Sequence, residues 1–82
     1  MNEPYQKPDQ NRPIIYQIKL GVHLDEQWSE WFEDLTVTYD EHDDTLLTGP
    51  VFDQSALIGL LIKVHDLSLP LISVNPIGST ST

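Results

Sequence analysis

Apolar side chains recur along this chain first at every second position, then at helical intervals, and then at every second position again. From Ile14 to Val22 the residues Tyr16, Ile18, Leu20 and Val22 share one face, and Ile15, Gln17, Lys19 and Gly21 share the other. That is the period of a half-buried strand. Leu24, Trp28, Trp31, Phe32 and Leu35 then fall at i, i+4, i+7, i+8 and i+11, which predicts an amphipathic helix over 25–34 with Glu26, Ser29, Glu30 and Glu33 on its wet side. Leu35, Val37 and Tyr39 alternate with Thr36, Thr38 and Asp40, a second strand. The polar run 41–44 is a turn into a third strand, 45–51, so these two form a hairpin whose regular pairing should end at Gly49-Pro50.

Asp53 is suited to cap a second helix over 54–66. Its apolar stripe comprises Ala56, Leu57, Leu60, Leu61, Val64 and Leu67, widened by Ile58 and Ile62. Leu60 and Leu61 are expected core positions. Gly59 interrupts this helix, and close packing against the sheet would account for it. Ser68, Leu69 and Pro70 turn the chain into a short apolar strand, 71–74.

The order β-α-β-β-α-β predicts an α+β domain of the ferredoxin-like, split β-α-β kind. Right-handed crossovers place both helices on one face of a four-stranded antiparallel sheet of order 4-1-3-2. The other face stays open and carries Ile15, Gln17, Lys19, Thr36, Thr38, Leu46, Thr48 and Ile72. Residues 1–13 hold three prolines and one aromatic, and 78–82 only Gly, Ser and Thr, so neither segment has the apolar content to offset its ordering entropy. The expected division is a disordered arm over 1–13, a single domain over 14–77 and a disordered tail over 78–82.

A folded part this short buries only ~60% of its unfolded surface. The 82 residues include no cysteine, so no disulfide can supplement the core and self-association becomes a source of further burial. The fourth strand is an apolar edge, which points the same way. The formal net charge is −9, and within 14–77 only Lys19 and Lys63 are basic. Such a surface repels nucleic acid and anionic bilayers and suits a protein partner with a basic surface. The sequence has neither a membrane-spanning apolar run nor a signal-peptide pattern, so a cytoplasmic setting is expected.

The run Thr48-Gly49-Pro50-Val51, Asp53-Gln54, Ala56-Leu57, Gly59-Leu60-Leu61, Asp66-Leu67 and Leu69-Pro70-Leu71-Ile72-Ser73-Val74 resembles a family of small bacterial proteins of uncharacterised activity, and Trp31-Phe32 before Leu35 fits as well. The resemblance implies the fold and carries no activity, cofactor or catalytic residue. Many proteins of that family have His where this chain has Ile58, so any role of that His would be missing here.

No residue pattern points to catalysis. There is no Cys, G-x-S-x-G, P-loop or G-x-G-x-x-G, and Asp53 is explained by capping. The acidic run Asp40-Glu41-His42-Asp43-Asp44 lacks the spacing of a calcium loop. His23, His42 and His65 should gather with several carboxylates at one end of the sheet, which makes them candidate ligands for a divalent metal, although no ligand motif joins them. The expected function is therefore a non-enzymatic interaction module, a small acidic homodimer that binds another protein through Trp31, Ile15, Leu46 and Ile72, with no cofactor. The competing readings are a small-molecule sensor similar to ACT domains, with its ligand at the loop 21–24, and a divalent-metal-binding protein.

Overall fold

The computed structural model describes residues 13–32 and 34–79, so the expectations placed on 1–12 and 80–82 lie outside the described residues. The chain runs β1 (Ile14–Leu20), a 3-10 turn (Glu26–Glu30), β2 (Thr36–Tyr39), β3 (Thr45–Val51), α1 (Gln54–Asp66) and β4 (Leu71–Ser79). The strands form one antiparallel sheet of order β2-β3-β1-β4. The period-2 pattern sets its faces. Ile18 pairs with Leu47 and Val74, and Leu47 with Val37, so these four apolar side chains share one face of the sheet. Leu24, Phe32, Leu35 and Val64 close over that face, where they join Ile18, Leu20 and Leu47 in the buried core.

Among the described residues there is one α-helix, not two. In place of the helix expected over 25–34 there is a single 3-10 turn, followed by further turns to Leu35. Among the described residues the i→i+3 hydrogen bonds run Trp28 N–H to Asp25 O, Trp31 to Trp28, Phe32 to Ser29 and Leu35 to Phe32. Three causes are visible in the residues. Trp, Ser, Phe and Asp are mediocre helix formers. Glu30, Glu33 and Asp34 crowd acid at the end where the helix dipole disfavours it. The segment is also too short for its own hydrogen bonds to sustain a helix. The threefold repeat changes the phase of the stripe. Phe32 and Leu35 remain buried and Trp28 packs partly on the core, but Trp31 lies beside Trp28 (ring centroids 6.1 Å apart) and is 54% exposed.

Three further expectations change. Pairing does not end at Gly49: β2 leaves β3 at Thr48, but β1 stays paired through Pro50 to Val51. Gly49 is needed there for another reason, since a Cβ would lie 2.5 Å from Leu35 Cδ2 and 2.6 Å from the Asp34 carbonyl oxygen, where the chain entering β2 crosses β3. Gly59 is the opposite case. A Cβ at Gly59 would meet nothing within 4 Å, so packing against the sheet does not explain it. Finally, β4 continues past Val74 to Ser79, beyond the boundary expected at 77, with register shifts that leave Ile72 and Ile77 as the unpaired extra residues.

Asp53 caps α1 as expected, its carboxylate accepting the Ala56 N–H at 2.8 Å. The helix is only loosely seated. Val64 is its single buried residue, while Leu57, Leu60, Leu61 and Leu67 are half-buried.

These contacts set distinct outcomes for substitution, measured by urea unfolding at dilution. Leu47→Ala should lose about 2–5 kcal/mol, as a fully buried leucine does. Gly49→Ala should destabilise by steric conflict with backbone, whereas Gly59→Ala should stabilise by up to ~1 kcal/mol through helix propensity. A neutral Gly49→Ala would contradict the crossing described above.

Candidate functional site

At the end of the sheet where β1 leaves and β3 enters, polar groups hold the loop 21–24 against the hairpin. Thr45 is fully buried. Its hydroxyl donates to Val22 O at 2.7 Å and accepts the Leu24 N–H at 2.9 Å. Tyr39 donates its hydroxyl to Leu24 O, and the Gly21 N–H binds Pro70 O at 2.8 Å. The His23 ring stacks on Tyr39 with centroids 4.3 Å apart, and its Nδ1 lies 3.2 Å from Asp43 O. At the hairpin tip Asp40 Oδ1 accepts the N–H groups of His42 (2.8 Å) and Asp44 (3.0 Å), and Asp40 Oδ2 meets Lys19 Nζ at 2.9 Å. Asp43 adopts φ 64°, the left-handed turn conformation that Asp tolerates.

His23, His42 and His65 are all exposed at this end, yet among the described residues no three His or acidic side chains form a group that could hold a metal ion. His23 is engaged by Tyr39 and the hairpin backbone instead. Likewise, the loop proposed from sequence as a ligand site has its polar groups bonded within the domain. Among the described residues no buried side-chain polar atom lacks a hydrogen-bond partner.

A different kind of surface lies along α1 and β4. Ile58 is 48% exposed and Ile62 54% exposed on the side of α1 away from the sheet, and Phe52 at its start is exposed as well. Open grooves flank the helix. One, of about 320 Å³, lies between the start of α1 and Ile14 and Tyr16 of β1. The other, of about 380 Å³, runs between Ala56, Gly59 and Leu60 and the segment carrying Leu35 and Pro50. Lys63 spans one end of it, donating to Trp31 O at 2.8 Å with its ammonium 5.6 Å from the Phe32 ring centroid. Leu71, Ile72 and Ile77 are exposed along β4, an edge strand.

The four partner-contact residues expected from sequence are not one patch. Ile15 and Leu46 are half-buried on the open sheet face, Ile72 lies at the β4 edge with its side chain against Gly21, and Trp31 is exposed beside α1. Sequence reading missed Ile58 and Ile62, which it assigned to a wide buried stripe. The available signal was that α1 is apolar on every side.

The model of the family described as "Domain of unknown function (DUF8691)" matches residues 15–75, and the chain belongs to that family. No curated protein and no solved structure matches it. Among the described residues, no helix is long and apolar enough to cross a membrane.

The hairpin tip has a measurable electrostatic signature. The hydrogen bond from Lys19, helped by the His42 and Asp44 N–H groups and opposed by partial desolvation, lowers the Asp40 carboxyl from 3.8 to about 2. Its stabilising contribution is therefore complete above its ordinary titration range and is lost as pH falls through about 2. Asp40→Asn keeps the acceptor oxygen and removes the charge. Thermal melts should show a deficit in the variant at pH 6 that shrinks below about pH 4 and closes near pH 2. A deficit independent of pH would mean that the charge plays no part.

Proposed function

We propose that this protein is a non-enzymatic interaction module that works as a small acidic homodimer and binds a second protein with a basic surface, in a cytoplasmic setting. In this reading the fold is a ferredoxin-like split β-α-β domain whose first helix has contracted to a 3-10 turn.

The observation that carries it is the partition of charge. The chain has net charge −9, yet no charged residue occurs from Gln54 to Ile62 or from Leu67 to the last residue, Thr82. Those are the segments that build α1 and β4, where Ile58, Ile62, Leu71, Ile72 and Ile77 are exposed. An apolar, charge-free side on an otherwise acidic molecule is the composition expected of an interface, with charge depleted from its centre. The acids cluster instead at the hairpin tip and the 3-10 turn, where they suit a basic partner. The bonded loop 21–24 favours this reading over ACT-like sensing.

Light scattering on the purified chain at tens of micromolar should give about twice the 9.4 kDa chain mass. A monomer mass at that concentration would overturn the homodimer.

A further inference from the structure

We propose that the dimer closes through α1: its outward face packs antiparallel on the same face of a second copy, with the two Gly59 residues at the crossing. This rests on the homodimer reading above and adds the surface that forms it.

Gly59 is the starting point. A glycine inside a helix weakens it, and within the domain nothing compensates, since a Cβ at this position would meet no atom within 4 Å. A backbone without a side chain is useful where another backbone must approach closely, and no part of the domain makes that approach at Gly59. Helix periodicity places Ser55, Gly59 and Ile62 on the side opposite the buried Val64, with Ile58 flanking them. Ile58 and Ile62 are each about half exposed there. Helix axes pack at 8–10 Å according to the side chains at the contact, and glycine at the crossing permits the near end of that range.

Charge identifies the occupant as a second copy and sets its direction. Two molecules of net charge −9 repel, and they can meet where neither presents charge, as α1 does from Gln54 to Ile62. Antiparallel packing about Gly59 turns the acidic start of one helix, Asp53, toward the partner subunit's Lys63 and His65, and opposes the helix dipoles. It also carries the two Asp66 residues to opposite ends. At 1.5 Å rise per residue each lies about 10 Å from the crossing, so the pair is separated by about 20 Å, beyond a Debye length of about 8 Å. Parallel packing would bring Asp66 onto Asp66. The contact is isologous, so it closes at two subunits.

Sedimentation equilibrium together with thermal melts at dilution tests this on the full chain. Gly59→Ala should have opposite effects: the dilute melting midpoint rises by several degrees while dimer affinity falls at least tenfold. Ile62→Lys should weaken the dimer at least tenfold and leave the dilute midpoint unchanged. Asn75→Lys, on the β4 edge, should leave affinity unchanged. A dimer indifferent to both Gly59→Ala and Ile62→Lys overturns this interface while leaving the homodimer standing, as does a dimer broken by Asn75→Lys alone. A wild-type monomer overturns both.

Discussion

A four-stranded sheet with one apolar face has to be covered, and among the described residues a single 13-residue helix and one 3-10 turn cover it. Burial is the main favourable term in folding, so the distribution of cover determines where the domain is firm. The firm part is the end of the sheet where Ile18, Leu20 and Leu47 meet Leu24, Phe32, Leu35 and Val64. Thr45 belongs to the same end, fully buried with its hydroxyl satisfied by backbone on both sides, as a buried polar group requires. Toward the other end the cover thins. Ile14 and Phe52 are exposed, and grooves open on both sides of α1.

The two glycines of the central region show the same asymmetry at single-residue scale. At Gly49 the chain is pressed against its own backbone, and no other residue fits without movement. At Gly59 nothing is near. One glycine is explained by the domain, and the other has no neighbour within it. The charge pattern runs parallel to this division: the acids surround the firm end and the hairpin, and α1 and β4 carry almost none.

Much of the architecture was legible in the alternation of apolar residues. The period-2 runs at 14–22, 35–39 and 45–51 correspond to β1, β2 and β3, and the Asp53 cap fixes where α1 starts. The first helix was misread because its apolar spacing fits a 3.6-residue period while its propensities and terminal acids do not sustain one, and periodicity alone does not weigh the two. Strand pairing beyond Gly49 and Val74 was missed because Gly and Pro signal breaks in a ladder, although they are compatible with edges and with sides that have no partner strand. Of the candidate surface, Trp31 and Ile72 were visible as margins of a pattern. Ile58 and Ile62 were not, because an all-apolar helix looks the same in sequence whether the sheet or a second molecule covers its outer side.

In the proposed homodimer, α1 is completed from outside the domain while β1 and β3 are complete within it. Amide hydrogen exchange measured across a range of protein concentrations addresses this directly, because it reads local opening residue by residue. The expected result is that amides of Leu57 to Val64 gain protection as concentration rises, while those of Ile18 and Leu47 stay at a constant high level. Helix amides as protected as those of β1 and β3 at the lowest concentration, and unchanged on raising it, would contradict the claim.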